Sequence, residues 1–113
     1  MALAGPSFEI RETADADGAA RVSLIGELDI AVADGVEERL RRLREEGRPV
    51  RLDISRLDFI DSSGVRALVL GLKHSRESGH ELEVDRAVSG PVARMIEIMG
   101  IGTQLWPADP SAG

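Results

Sequence analysis

The chain of 113 residues has no cysteine and no tyrosine, one tryptophan, two phenylalanines and a single lysine, Lys73. Without cysteine there is neither a disulfide nor a thiolate metal site, and folding is indifferent to redox compartment. Basic residues are outnumbered: a formal net charge of -6 argues against nucleic acid or an anionic membrane as the main partner, since both are held through clustered Lys and Arg. A long apolar run is also missing. The longest, Val65 to Leu72, is interrupted by Arg66 and falls far short of the roughly 20 residues that span a bilayer. Met1 to Ser7 carries neither the basic nor the apolar part of an export signal. No membrane insertion is expected, and a cytoplasmic location is the default. The two histidines, His74 and His80, lack the spacing of a ligand pair and are read as surface residues, so no metal site is expected.

What is present is enough apolar residue, 42%, for one core, and the pattern divides cleanly into elements. Phe8 to Thr13 alternates, Asp15 to Gly18 supplies a turn, and Val22, Leu24 and Leu28 follow, as in a hairpin. From Val32 the period lengthens: Val32, Val36, Leu40 and Leu43 mark an amphipathic helix that Gly47 and Pro49 stop. On it Arg39, Arg41, Arg42 and Arg44 are interleaved with glutamates, which reads as a solvated helix surface. Val50 to Ile54 alternates as a strand. A second helix opens at Asp61, Ser62 and Ser63 and runs to Ser78-Gly79. Leu82 and Val84 mark a short strand. Pro91 opens a third helix with Val92, Met95, Ile96 and Met99 inward, closed by Gly100. Leu105-Trp106 is expected to form a last edge strand. The order predicts a single α/β domain over 1–113: a mixed β-sheet of four to five strands flanked by amphipathic helices, with its core at about 8–106 and a flexible tail at 107–113.

Two loops carry chemistry. Gly26-Glu27-Leu28-Asp29 leaves the second strand for the first helix, and Asp61-Ser62-Ser63-Gly64 leads into the second helix. If those strands are parallel, both loops lie at one sheet edge, where α/β proteins place ligand sites. On residue type alone, Asp61, Ser62 and Ser63 are three good helix N-caps, and a phosphate would be tolerated beside them. Gly64 reads as close backbone approach or small-residue packing.

The order of GELD at 26–29, LDFIDSSG at 57–64 and PVARMIEIMGI at 91–101 resembles the STAS domain of bacterial anti-sigma-factor antagonists, over essentially Phe8 to Trp106. The chain departs from that pattern at Val32, where the family commonly has Thr. The resemblance implies a binding protein without enzymatic activity or cofactor. Its partner would be an anti-sigma factor with serine kinase activity, and its bound form would free a sigma factor. Phosphorylation of the first serine after the aspartate, here Ser62, would switch it off, and a PP2C-type phosphatase would reset it. The implied partner-binding surface is Asp29, Asp61, Ser62, Ser63, Gly64 and Arg66, with Ser63 as the helix cap and Ser62 more exposed. Asp29 can cap its helix and contact the partner at once, and Arg66 is either a rim contact or an ordinary solvent-facing charge. The alternative within the family is a permanent STAS subunit, of a stress-signalling scaffold or of a lipid-transport ATPase complex, without a phosphoswitch.

A serine hydrolase is disfavoured. There is no Gly-x-Ser-x-Gly, and both histidines are read as surface residues.

Overall fold

The structure, a computed structural model, describes residues 8–107. Within it the chain forms β1 (Phe8–Ala14), β2 (Ala20–Leu28), α1 (Ile30–Glu45), β3 (Val50–Ile60), α2 (Ser62–Ser78), β4 (Leu82–Val84), α3 (Gly90–Met99) and α4 (Gly102–Leu105). The sheet order is β1-β2-β3-β4, with β1 antiparallel to β2 and the other two pairs parallel. The mixed sheet and its helices match the expected α/β class. Of the expected tail, residues 108–113 lie outside the described residues.

Strand β2 shows why one face of the sheet is covered. Its even residues, Ala20, Val22, Leu24 and Leu28, are fully buried, whereas Arg21, Ser23, Ile25 and Glu27 between them are only half-buried. Period-two alternation therefore sends one set into the core and the other to the opposite face. One contiguous core joins that set to Val36, Leu40 and Leu43 of α1, Val65, Leu68 and Leu72 of α2, Val92 and Ile96 of α3, and Ile101 and Leu105. The helices α1 and α2 approach closely at Gly71, where an added Cβ would stand 2.8 Å from Leu40 Cδ1.

Strand β3 is longer than the alternation at Val50 to Ile54 suggests, because the β2–β3 register slips twice, between Ser23 and Ile25 and again between Gly26 and Glu27. Each slip adds a residue to one side of the ladder and resets the phase. The buried positions of β3 thus run 50, 52, 54, 57 and 60. Gly26 sits at the second slip with φ +100°, a conformation that side chains with a Cβ resist. That accounts for glycine at the head of the GELD segment.

Four details correct the sequence reading. Leu105-Trp106 is not a strand: Leu105 ends the short helix α4 and is buried, while the Trp106 indole N–H donates to the Val84 carbonyl at 2.9 Å. The side chain, not the backbone, thereby closes part of the outer edge of β4, an edge that would otherwise invite pairing. Met99 is not inward but 40% exposed: it shares the face of Val92 and Ile96, but it is the last residue of α3 and stands at the end of the core. The basic face of α1 is only partly solvated: Arg41 pairs within the helix with Glu38 and Glu45, but Arg39 and Arg42 reach Glu12 of β1. Finally, His80 is half-buried and stitched in place, its Nε2–H donating to the Arg48 carbonyl and its Nδ1 accepting from the Ser75 hydroxyl at 2.9 Å. A carbonyl can only accept, which assigns the tautomer. Ser75 is 2% exposed, so this Ser–His pair is packing and cannot meet a substrate. His74 is exposed as expected.

An ionic lattice fixes the other face. Arg51 of β3 donates to Asp15 and Asp17 of the β1–β2 turn at 2.7 and 2.6 Å. Arg21 joins Asp15 to Asp85, just beyond β4.

Candidate functional site

Two helices begin side by side at the carboxyl-terminal ends of β2 and β3. The strands are parallel and pair there as Glu27 with Phe59 and Leu28 with Ile60; the Asp61 N–H then donates to the Leu28 carbonyl at 3.2 Å. The GELD and DSSG segments are therefore neighbours, as the parallel arrangement requires. Asp29 is the N-cap of α1 and accepts from the Ala31 N–H at 3.0 Å.

Asp61, not Ser63, is the N-cap of α2, accepting the Gly64 N–H at 2.9 Å on Oδ1. The carboxylate wins because it is the last residue with extended backbone, φ -105° and ψ -176°; Ser62 and Ser63 are already helical, and a cap must stand outside the helix. Its other oxygen accepts the Ile30 N–H at 3.2 Å. One carboxylate thus serves the first turns of both helices.

The expected ranking of the two serines holds: Ser62 is exposed and Ser63 half-buried. With the cap made by Asp61, neither hydroxyl is used for it. Gly64 is buried against the partner segment, and a Cβ there would come within 2.7 Å of Leu28 Cγ and of the Leu28 carbonyl oxygen, and 2.8 Å of Ile60 Cγ1. Only glycine lets α2 start this close to the end of β2. Arg66 is exposed further along α2. Asp29, Asp61, Ser62, Ser63 and Gly64 are gathered at one edge, and Arg66 follows on the helix surface beyond them.

Two residues of this edge escape a reading of motif letters. Ile30 is 75% exposed and Phe59 is 42% exposed. In the sequence Phe59 merges with its apolar neighbours Leu57 and Ile60; only the reset phase of β3 turns it outward. The signal for Ile30 was its place directly after a capping aspartate, ahead of the first buried position of α1, Ala33.

A family model described as "Mlab, STAS domain" matches residues 12–107. The chain belongs to the STAS-domain family. This STAS domain is 27% identical over 81 residues to the anti-sigma-B factor antagonist of Bacillus subtilis, covering 72% of this chain and 73% of that protein. Among solved structures it resembles an anti-sigma factor antagonist from Mycobacterium paratuberculosis, with TM-score 0.74, 24% identity and coverage of 92% of this chain and 86% of that one. It also resembles the Bacillus cell-fate determinant SpoIIAA in its phosphorylated form, with TM-score 0.63, 18% identity and coverage of 94% and 95%. These structural likenesses establish the fold. Among the described residues no helix is long and apolar enough to cross a membrane, and no three His, Asp or Glu side chains are grouped to hold a metal ion.

Proposed function

We propose that this STAS domain is an anti-sigma-factor antagonist switched by phosphorylation of Ser62. It binds an anti-sigma factor that is also a serine kinase, so that a sigma factor is freed. Phosphorylation by that kinase ends the complex, and a PP2C-type phosphatase restores it. The observation that carries the reading is the placement of Ser62: exposed, in the first turn of α2, and relieved of the capping role by Asp61. The relatives described as anti-sigma-factor antagonists support the partner class.

The physics of the switch is local. Phosphoserine adds about -1.5 to -2 charges. At a helix N-terminus such charge is stabilised by roughly 0.3–1 kcal/mol, so the fold tolerates it. Within a desolvated contact the same charge costs far more than the ~1.4 kcal/mol that means tenfold in affinity. Asp29, Asp61, Ser63, Gly64 and Arg66 form the contact surface in this reading, with Asp29 acting as helix cap and partner contact together.

The test is incubation with the cognate anti-sigma kinase and ATP, followed by mass spectrometry of intact and digested protein and by a binding titration of both forms. One phosphate on Ser62 with binding reduced at least about tenfold supports the switch. Tight binding with Ser62 unmodified would sink it, and would favour a permanent subunit of a scaffold or transport complex.

A further inference from the structure

We infer that Ile30 and Phe59 are the apolar anchors of the docking surface around Ser62, and that the surface fits a protein partner presenting an apolar recess ringed by Lys and Arg. The inference rests on the proposed antagonist reading and adds to it the residues that provide affinity and the chemistry of the face they meet.

Most large apolar side chains of the described residues are buried; those notably exposed are Ile30, Phe59, Ile98 and Met99. Two of the four stand at the edge where Ser62 lies. They are tied to it through the backbone: Phe59 pairs with Glu27 across the β2–β3 ladder, and the Ile30 N–H rests on the carboxylate of Asp61, the residue before Ser62. An isoleucine left 75% exposed gains nothing from folding, whereas burying it against a partner removes most of its side chain from water. Interfaces concentrate their affinity in a few such anchors.

Charge selects the partner. The carboxylates around the pair are Glu27, Asp29, Asp58 and Asp61. Among the described residues the salt bridges all lie elsewhere, at the β1–β2 turn, on β1, along α1 and beyond β4, and none involves these four. The basic residues nearby in sequence are Arg56 and Arg66, both exposed. The surface is therefore apolar at Ile30 and Phe59 with an excess of acid beside them that no salt bridge neutralises, although Asp29 and Asp61 also cap the two helices. A second copy docked symmetrically would set acid against acid, and an anionic membrane is repelled in the same way. A cationic rim on a partner protein satisfies the carboxylates. In this reading a phosphate on Ser62, beside Asp61, is stripped of water at the contact, and that cost releases the partner.

The test is calorimetric titration of the cognate anti-sigma kinase at low and high NaCl, with wild type and with Ile30→Ser, Phe59→Ser, Asp29→Asn and, as a control at the exposed isoleucine of α3, Ile98→Ser. Far-UV circular dichroism and thermal melts establish that each variant is folded. The inference expects Ile30→Ser and Phe59→Ser each to weaken binding about tenfold or more and Ile98→Ser less than about twofold. Wild-type affinity should fall with salt, less steeply in Asp29→Asn. If both serine variants bind within about twofold of wild type while phosphorylation of Ser62 still releases the partner, the anchors are wrong and the switch stands. If the variants lose binding but Ser62 is never modified, the anchors stand and the switch is wrong. Affinity that is flat or rises with salt overturns the cationic rim, and a wild type that does not bind the kinase overturns both proposals.

Discussion

The Asp61 carboxylate holds Ile30 across the sheet edge: Oδ2 accepts the Ile30 N–H at 3.2 Å while Oδ1 accepts the Gly64 N–H at 2.9 Å. The first turns of α1 and α2 thus share one acceptor. Asp61→Ala removes both bonds and is expected to cost about 1–3 kcal/mol, the sum of a lost cap and a second lost acceptor. Asp61→Asn keeps one good acceptor and should cost about half as much. Urea denaturation reads both; an Asp61→Ala variant as stable as wild type would show that the two helix starts do not depend on this carboxylate.

Gly64 and Gly35 make an opposed pair. A methyl at Gly64 collides with Leu28 and Ile60, whereas one at Gly35, inside α1, meets nothing within 4 Å. Gly64→Ala should destabilise by about 1–3 kcal/mol, and Gly35→Ala should stabilise by up to about 1 kcal/mol through helix propensity. Both follow from midpoints of chemical denaturation, and effects of the same sign at the two sites would refute the packing account of Gly64.

The lattice at Arg51 makes stability depend on acid. Hydrogen bonding from Arg51 holds the carboxyls of Asp15 and Asp17 below their ordinary 3.8, and the Arg21 guanidinium adds to this at Asp15. A carboxyl whose folded pKa lies below its unfolded value stabilises the fold above that unfolded value, and the contribution disappears as pH falls through the folded one. Arg51→Gln should therefore be less stable than wild type at neutral pH, with a gap that begins to close below about pH 4. Thermal melts across that range check it; a gap that stays constant from about pH 6 to about pH 2 would place the effect of Arg51 outside this ionisation.

For Ser62→Asp the expectation is a folded protein. The added charge sits in the first turn of α2, and its effect on stability should stay within about 1 kcal/mol of wild type, while binding of the anti-sigma kinase drops. A variant that loses binding because it melts far below wild type would falsify a purely local switch.

The helices were legible from single residues because their period is local. Val36, Leu40 and Leu43, or Val65, Leu68 and Leu72, share a face whatever the rest of the chain does. The β1–β2 hairpin and the short β4 were readable for the same reason. Strand β3 beyond Ile54 was not, because its phase depends on two register slips against β2, and a slip is a property of the pair of strands. Leu105-Trp106 has the composition of an edge strand, yet its role is fixed by an indole reaching a carbonyl 22 residues away.

The candidate site divides along the same line. GELD and DSSG are recognisable as segments, and their residue types announce helix caps and an accessible hydroxyl. Which residue caps α2 is a tertiary matter: Asp61 is fixed by its own N–H on Leu28 and by Ile30 on its carboxylate, so the helix starts after it and leaves Ser62 exposed. By itself the sequence determined the α/β pattern, the acidic charge balance and the two segments, since these rest on periodicity and composition. Only the packed sheet decided that the segments meet, that Ile30 and Phe59 stand outside the core beside them, and that Gly64 is required, because contact between residues distant in the chain exists only once the strands are paired.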